Sequence, residues 1–195
     1  TIIRATAIVL ELLFNTAWAQ NADEGASALD EGVRQVVFEA TQSIAEEGNA
    51  EAQYTLGDMY RRGQGVSQDY SEAARWWRAA AEQGHADAQR DLGIMYYNGE
   101  GVLQDYSEAV RWYRAAAEQG QALAQNNLGV SYGKGEGVIQ DNITAHMWFN
   151  IASANGDQKA KENRDIMADR MSREAIEEAQ SRARTCMESG YQDRD

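Results

Sequence analysis

Apolar and small residues recur along this chain at helical spacing. Ala52, Leu56 and Tyr60 fall on one helical face, and Ala73, Trp76 and Ala80 fall on another. Side chains three and four positions apart meet on a helix surface, so the pattern predicts two amphipathic helices joined by the loop around Gly63 and Gly65. The same order then returns, with Ala88, Leu92 and Tyr96 repeating the first helix, and Ala124, Leu128 and Tyr132 repeating it again. Gly84, Gly120 and Gly156 are 36 apart, as are Trp76, Trp112 and Trp148. A fixed period of this size marks stacked units that cannot bury their apolar faces alone. The expected fold is all-α, an αα-superhelix with units at 49–84, 85–120 and 121–156.

Both ends of the array carry further helical patterns. Val33, Val36, Val37, Ala40 and Ile44 form a stripe within 29–48, which reads as a capping half-repeat because Ala45-Glu46-Glu47-Gly48 matches Ala81-Glu82-Gln83-Gly84. The small, polar 20–28 reads as a linker. Residues 157–195 read as capping helices, one from about Asp157 to Met171 and one after Ser172, with Ile176, Ala179, Ala183 and Met187 buried and Tyr191 to Asp195 frayed.

Local signals fix the joints. Gly63 and Gly65 suit the end of a helix, where a left-handed residue without a Cβ is favoured. Gly57, beside Leu56, removes a side chain where a neighbouring helix must come close. Asp69 with Glu72, and Asp105 with Glu108, read as a capping box opening the second helix of a unit. Trp76 and Trp112, placed in step, read as core.

Composition narrows the function. Proline is absent, which suits uninterrupted helices. The formal charge of -13 repels phosphate backbones and anionic membranes, so no nucleic-acid partner is expected. Arg4, an apolar run at 5–14 interrupted by Glu11, and Ala17-Trp18-Ala19 before Gln20 have the layout of a signal peptide over 1–19, implying a periplasmic or secreted protein. No other stretch approaches the length of a membrane span. The expected oligomeric state is a monomer.

The residues suited to chemistry are scattered. Gly133-Lys134-Gly135-Glu136-Gly137 follows a helix in the phase of Gly99-Glu100-Gly101, so it reads as a turn and not a phosphate cradle. His85 and His146 occupy different phases, and Cys186 sits in step with Ala179 and Ala183; no set of three or four converging metal ligands is evident. No catalytic, cofactor-binding or metal-binding residue is assigned. A pair of carboxylates could serve a glycosidase, which keeps a cell-envelope enzyme or accessory factor acting on cell-wall material as the alternative function.

The motif Ala-x-Ala-x-x-x-Leu-Gly-x-x-Tyr-x-x-Gly-x-Gly-Val-x-x-Asp-x-x-x-Ala-x-x-Trp runs from Ala50 to Trp76, from Ala86 to Trp112 and from Ala122 to Trp148. It resembles the Sel-one-like repeats, longer relatives of the tetratricopeptide repeat. The resemblance implies a bacterial adaptor or scaffold binding a protein or peptide partner. In the related tetratricopeptide superhelix the first helices of the units line the concave side. On those helices, off the core face, lie Tyr54, Asp58 and Arg61, then Arg90, Ile94 and Tyr97, then Asn126 and Val130. Their mix of tyrosine, arginine and aliphatic side chains is enriched at interfaces, so they are the expected protein-binding residues.

Overall fold

The computed structural model describes residues 22–191, and within them every regular element is a helix. The expected signal segment 1–19 lies outside the described residues, as do 192–195. Helix α1 spans Ala22–Glu46, and three pairs follow: α2 (Ala50–Arg62) with α3 (Tyr70–Glu82), α4 (Ala86–Asn98) with α5 (Tyr106–Ala117), and α6 (Ala122–Lys134) with α7 (Asn142–Ala154). Helices α8 (Gln158–Ala168) and α9 (Arg173–Glu188) complete the array. The segment read as a linker at 20–28 is helical from Ala22. Its Ala, Asp and Glu residues tolerate helix.

Each junction is built the same way. Asn49, His85, Gln121 and Asp157 cap α2, α4, α6 and α8 through side-chain acceptors, and Asp69, Asp105 and Asp141 cap α3, α5 and α7. The reciprocal half of the expected capping box does not form. The Asp69 backbone N–H donates to the Tyr60 carbonyl at 3.0 Å, which frees Glu72 to bind Arg75 at 2.7 Å. The two loop glycines also divide their work. Gly63 is the left-handed C-cap of α2 (φ +67°), whereas Gly101 and Gly137 lie against the Tyr70 and Tyr106 carbonyls of the preceding unit.

Within a unit the helices touch through a missing side chain. A Cβ on Gly93 would stand 2.6 Å from the Tyr113 ring, and one on Gly129 would stand 2.7 Å from Phe149. Gly57 meets Trp77 in the same manner. Between units, Trp112 joins Ala80, Leu92 and Met95 in one apolar cluster, and Trp148 joins Ala116, Leu128 and Cys186 in the next.

The C-terminal helices differ in role. Helix α8 takes the place of a fourth unit's first helix, burying Ala160 and Met167. Helix α9 packs against α7 through Ala179, Ala183 and Cys186, all fully buried. Ile176 and Met187, expected in that stripe, are half-buried. Tyr191, expected to fray, is held: its hydroxyl and the Asn155 amide lie 2.9 Å apart, and its ring rests beside Gly120.

Candidate binding cleft

Helix α2 presents Tyr54, Asp58, Arg61 and Arg62 about one turn apart, and α4 presents Arg90, Asp91, Ile94 and Met95 beside them. Together with Trp77 from α3 and Glu100 from the loop after α4, they line a cleft of about 350 Å³. That volume lies in the range of small-ligand sites, roughly 300–1,000 Å³.

A hydrogen-bonded network shapes its walls. The Tyr54 hydroxyl donates to Asp91 Oδ2 at 3.1 Å, while Arg90 donates from Nε to Asp91 Oδ1 and from Nη1 to Asp87 Oδ1, both at 2.7 Å. The Trp77 indole N–H donates to the Tyr54 carbonyl at 3.1 Å. The Tyr54 ring stacks on His85 with centroids 4.6 Å apart. Burial, then the adjacent Asp91 carboxylate, pushes the Tyr54 phenol up to about 12, because a second negative charge there is disfavoured. For Arg90, burial opposes its charge, but Asp91 and Asp87 outweigh it and raise the pKa.

Asp58 sits at the other end of α2. It accepts from Arg61 Nη2 at 2.6 Å and from Arg62 Nε at 2.8 Å, so two guanidinium groups share one carboxylate.

Five of the expected binding residues therefore converge: Tyr54, Asp58, Arg61, Arg90 and Ile94. The other three do not join them. Tyr97 is engaged one unit further along, donating to Glu136 and accepting from Lys134 Nζ at 2.8 Å. Burial, then the Glu136 carboxylate, raises its pKa. Asn126 is buried and accepts from Asn163 of α8 at 2.9 Å. Val130 packs with Ala145, Phe149 and Met167. Helix α8 packs over the third unit's stripe, so Asn126 is buried and Val130 partly buried, and neither lines the cleft.

The motif alone missed Arg62, Trp77, Asp91, Met95 and Glu100. A signal existed, since side-chain pairs 37 apart meet repeatedly, as Tyr54 with Asp91, Tyr97 with Lys134 and Asn126 with Asn163. One period plus one residue is the register of adjacent first helices. Among the described residues no group of three or more His, Cys, Asp or Glu side chains is placed to hold a metal ion. His85 caps α4, its Nδ1 accepting from the Ala88 N–H at 3.2 Å. His146 is buried in α7, where burial and then nearby Arg164 lower its pKa.

A family model described as Sel1 repeat matches residues 50–85, 86–121 and 122–157, over half of the chain. The chain belongs to the Sel1 repeat family. The matched units begin one residue later than those read from the period, at the first helical residue instead of its cap. Among solved structures, a Sel1 repeat protein from Oxalobacter formigenes is 36% identical with a TM-score of 0.64, covering 67% of this chain and 54% of its own. A protective antigen of uropathogenic Escherichia coli strains, described as displaying an SLR fold, is 37% identical with a TM-score of 0.63, covering 79% of this chain and 35% of its own. The chain thus spans about half and about a third of the length of these Sel1 structures. No curated protein matches it. Sel1 repeat proteins are in general protein-interaction scaffolds, without catalytic function.

Proposed function

We propose that this Sel1 repeat protein is a non-catalytic, exported adaptor that holds a peptide, or an extended segment of a partner protein, in the cleft between α2 and α4. The observation that carries this reading is the convergence of Tyr54, Asp58, Arg61, Arg90 and Ile94 on one cleft of about 350 Å³. Such a space admits a few side chains and not a folded domain. Export rests on Arg4, the apolar run at 5–14 and Ala17-Trp18-Ala19, and it puts the mature start at Gln20. The acidic balance of -13 argues against nucleic acid as the partner. Among the described residues no helix is long and apolar enough to cross a membrane. We take the working form to be a monomer, which sedimentation equilibrium checks.

A photo-crosslinking residue at Ile94, installed in the native host, tests the cleft against the same residue at Arg75 on the outer face of α3. A partner captured from Ile94 and not from Arg75 is the expected result. Equal capture from both positions sinks the cleft reading. Intact mass of the protein from the native host tests export, with loss of the first nineteen residues expected and retention of 5–14 contradicting it.

A further inference from the structure

We infer that the cleft selects a peptide carrying an acidic side chain beside an apolar one, with its carboxylate seated on Arg61 and Arg62. This inference rests on the cleft being the binding site.

Three of the ten lining residues are arginines, in a protein whose overall charge is -13. They are not equivalent. Arg90 is only 17% exposed and is matched by two carboxylates, Asp87 and Asp91, so it has little left for a ligand. Arg61 and Arg62 share Asp58 alone, which leaves the trio with one positive charge in excess. Arg61 spends Nε and Nη2 on Asp58, and Arg62 spends Nε. The Nη1 of Arg61 and both Nη groups of Arg62 make no bond among the described residues, and the two side chains are 38% and 54% exposed. A guanidinium held by its inner edge on a carboxylate and open at its outer edge is preorganised for an oxyanion.

The loop after α4 adds an acid to the cleft. Glu100 lines the cleft without an arginine partner, its contact being the Asn98 amide at 3.3 Å. In the repeat register Glu100 stands to Arg61 as Glu136 stands to Tyr97, so its carboxylate tempers the excess charge of the α2 arginines. Half-buried Tyr54 and Ile94 line the same cleft with buried Trp77 and Met95, which suits an aliphatic neighbour in the peptide. One unit further on, Tyr97 stands where Arg61 stands, and it is hydrogen-bonded to Glu136, the counterpart of Glu100. The acid-selective feature thus belongs to the first junction and is not a property of every repeat.

The test uses the full chain with two immobilised, C-amidated octapeptide pools, one with a fixed Glu-Leu pair and one with Gln-Leu, all other positions randomised. The Glu pool should be retained more strongly, with a preference that shrinks as salt rises. In Arg62→Gln, which leaves the Arg61 pair on Asp58 in place, the preference should fall by up to about fivefold, the scale of a partly exposed charge pair. In Glu100→Gln it should rise. Equal retention of the two pools, no retention of either, or an unchanged preference in Arg62→Gln overturns the inference. Tyr54→Ala separates this failure from that of the cleft itself: equal pools that are both lost in Tyr54→Ala leave the cleft standing, whereas retention indifferent to Tyr54→Ala removes it.

Discussion

The side-chain amide of Gln119 donates to Oε1 of Gln89 at 2.7 Å, joining the end of α5 to α4 within the second unit where no apolar pattern marks a contact. Gln89 in turn donates to the Ala81 carbonyl at 3.0 Å, tying its own unit to the one before. Gln53 with Gln83, and Gln125 with Asn155, repeat the arrangement, so a ladder of amides runs through the stack, with Gln53, Gln89 and Gln125 buried in it. Replacing Gln89 with Leu keeps the bulk but removes its bond to the Ala81 carbonyl, which keeps the Gly84 N–H at 3.0 Å, and removes one acceptor of the Gln119 amide. A loss of about 0.5–1.5 kcal/mol is expected, the net worth of a hydrogen bond whose acceptor keeps a second donor. Urea unfolding of Gln89→Leu reads it directly, and a wild-type midpoint would show the ladder to be incidental.

Two glycines give opposite expectations for one substitution. Both lie inside helices, where alanine is favoured by roughly 0.5–1 kcal/mol. Around Gly32 nothing lies within 4 Å of an added Cβ, so Gly32→Ala should stabilise by about that amount. At Gly93 the Cβ would meet the Tyr113 ring at 2.6 Å, and Tyr113 is buried and cannot swing away. Overpacking costs about 1–3 kcal/mol and exceeds the helix gain, so Gly93→Ala should be destabilising. Thermal melting of the pair distinguishes the two cases.

His146 makes the fold sensitive to acid. Burial, then Arg164, lowers its pKa from the ordinary 6.5, while Asp165 opposes the shift. As pH falls below 6.5 the unfolded chain takes up a proton that the folded chain refuses, so the unfolded state binds more protons and stability declines. The contribution is complete above 6.5 and is lost as pH falls through the folded value. His146→Gln should flatten this part of the profile, measured as denaturant midpoint against pH. A slope unchanged by the substitution would place the acid sensitivity elsewhere.

Tyr54 acts at the other end of the scale. Its phenol, ordinarily at 10.0, is raised to about 12 by burial and then by Asp91. Between those values the unfolded chain has lost a proton that the folded chain keeps, so stability falls with rising pH. The contribution is complete below 10 and is lost through about 12. Tyr54→Phe should make the alkaline decline shallower without abolishing it, because Tyr60, Tyr97 and Tyr113 are also raised. Phenolate absorbance of wild type should likewise show a late-ionising tyrosine missing from the variant.

The repeat architecture was legible in the chain itself, because helical spacing, loop glycines and capping aspartates are local rules written three times over. Trp112, Ala80 and Leu92 could be placed in the core from their phase alone. The fate of Asn126 and Val130 could not, since their phase matches that of cleft residues and only the docking of α8 buries the first and partly covers the second. The linker at 20–28 failed for a related reason: small polar residues are compatible with loop and with helix. The cleft itself is tertiary. Tyr54 and Asp91 belong to different units, and only the register of stacked helices brings their side chains to 3.1 Å. Periodicity determines which residues point inward or outward, whereas the choice of which outward residues meet is made by the geometry of stacking.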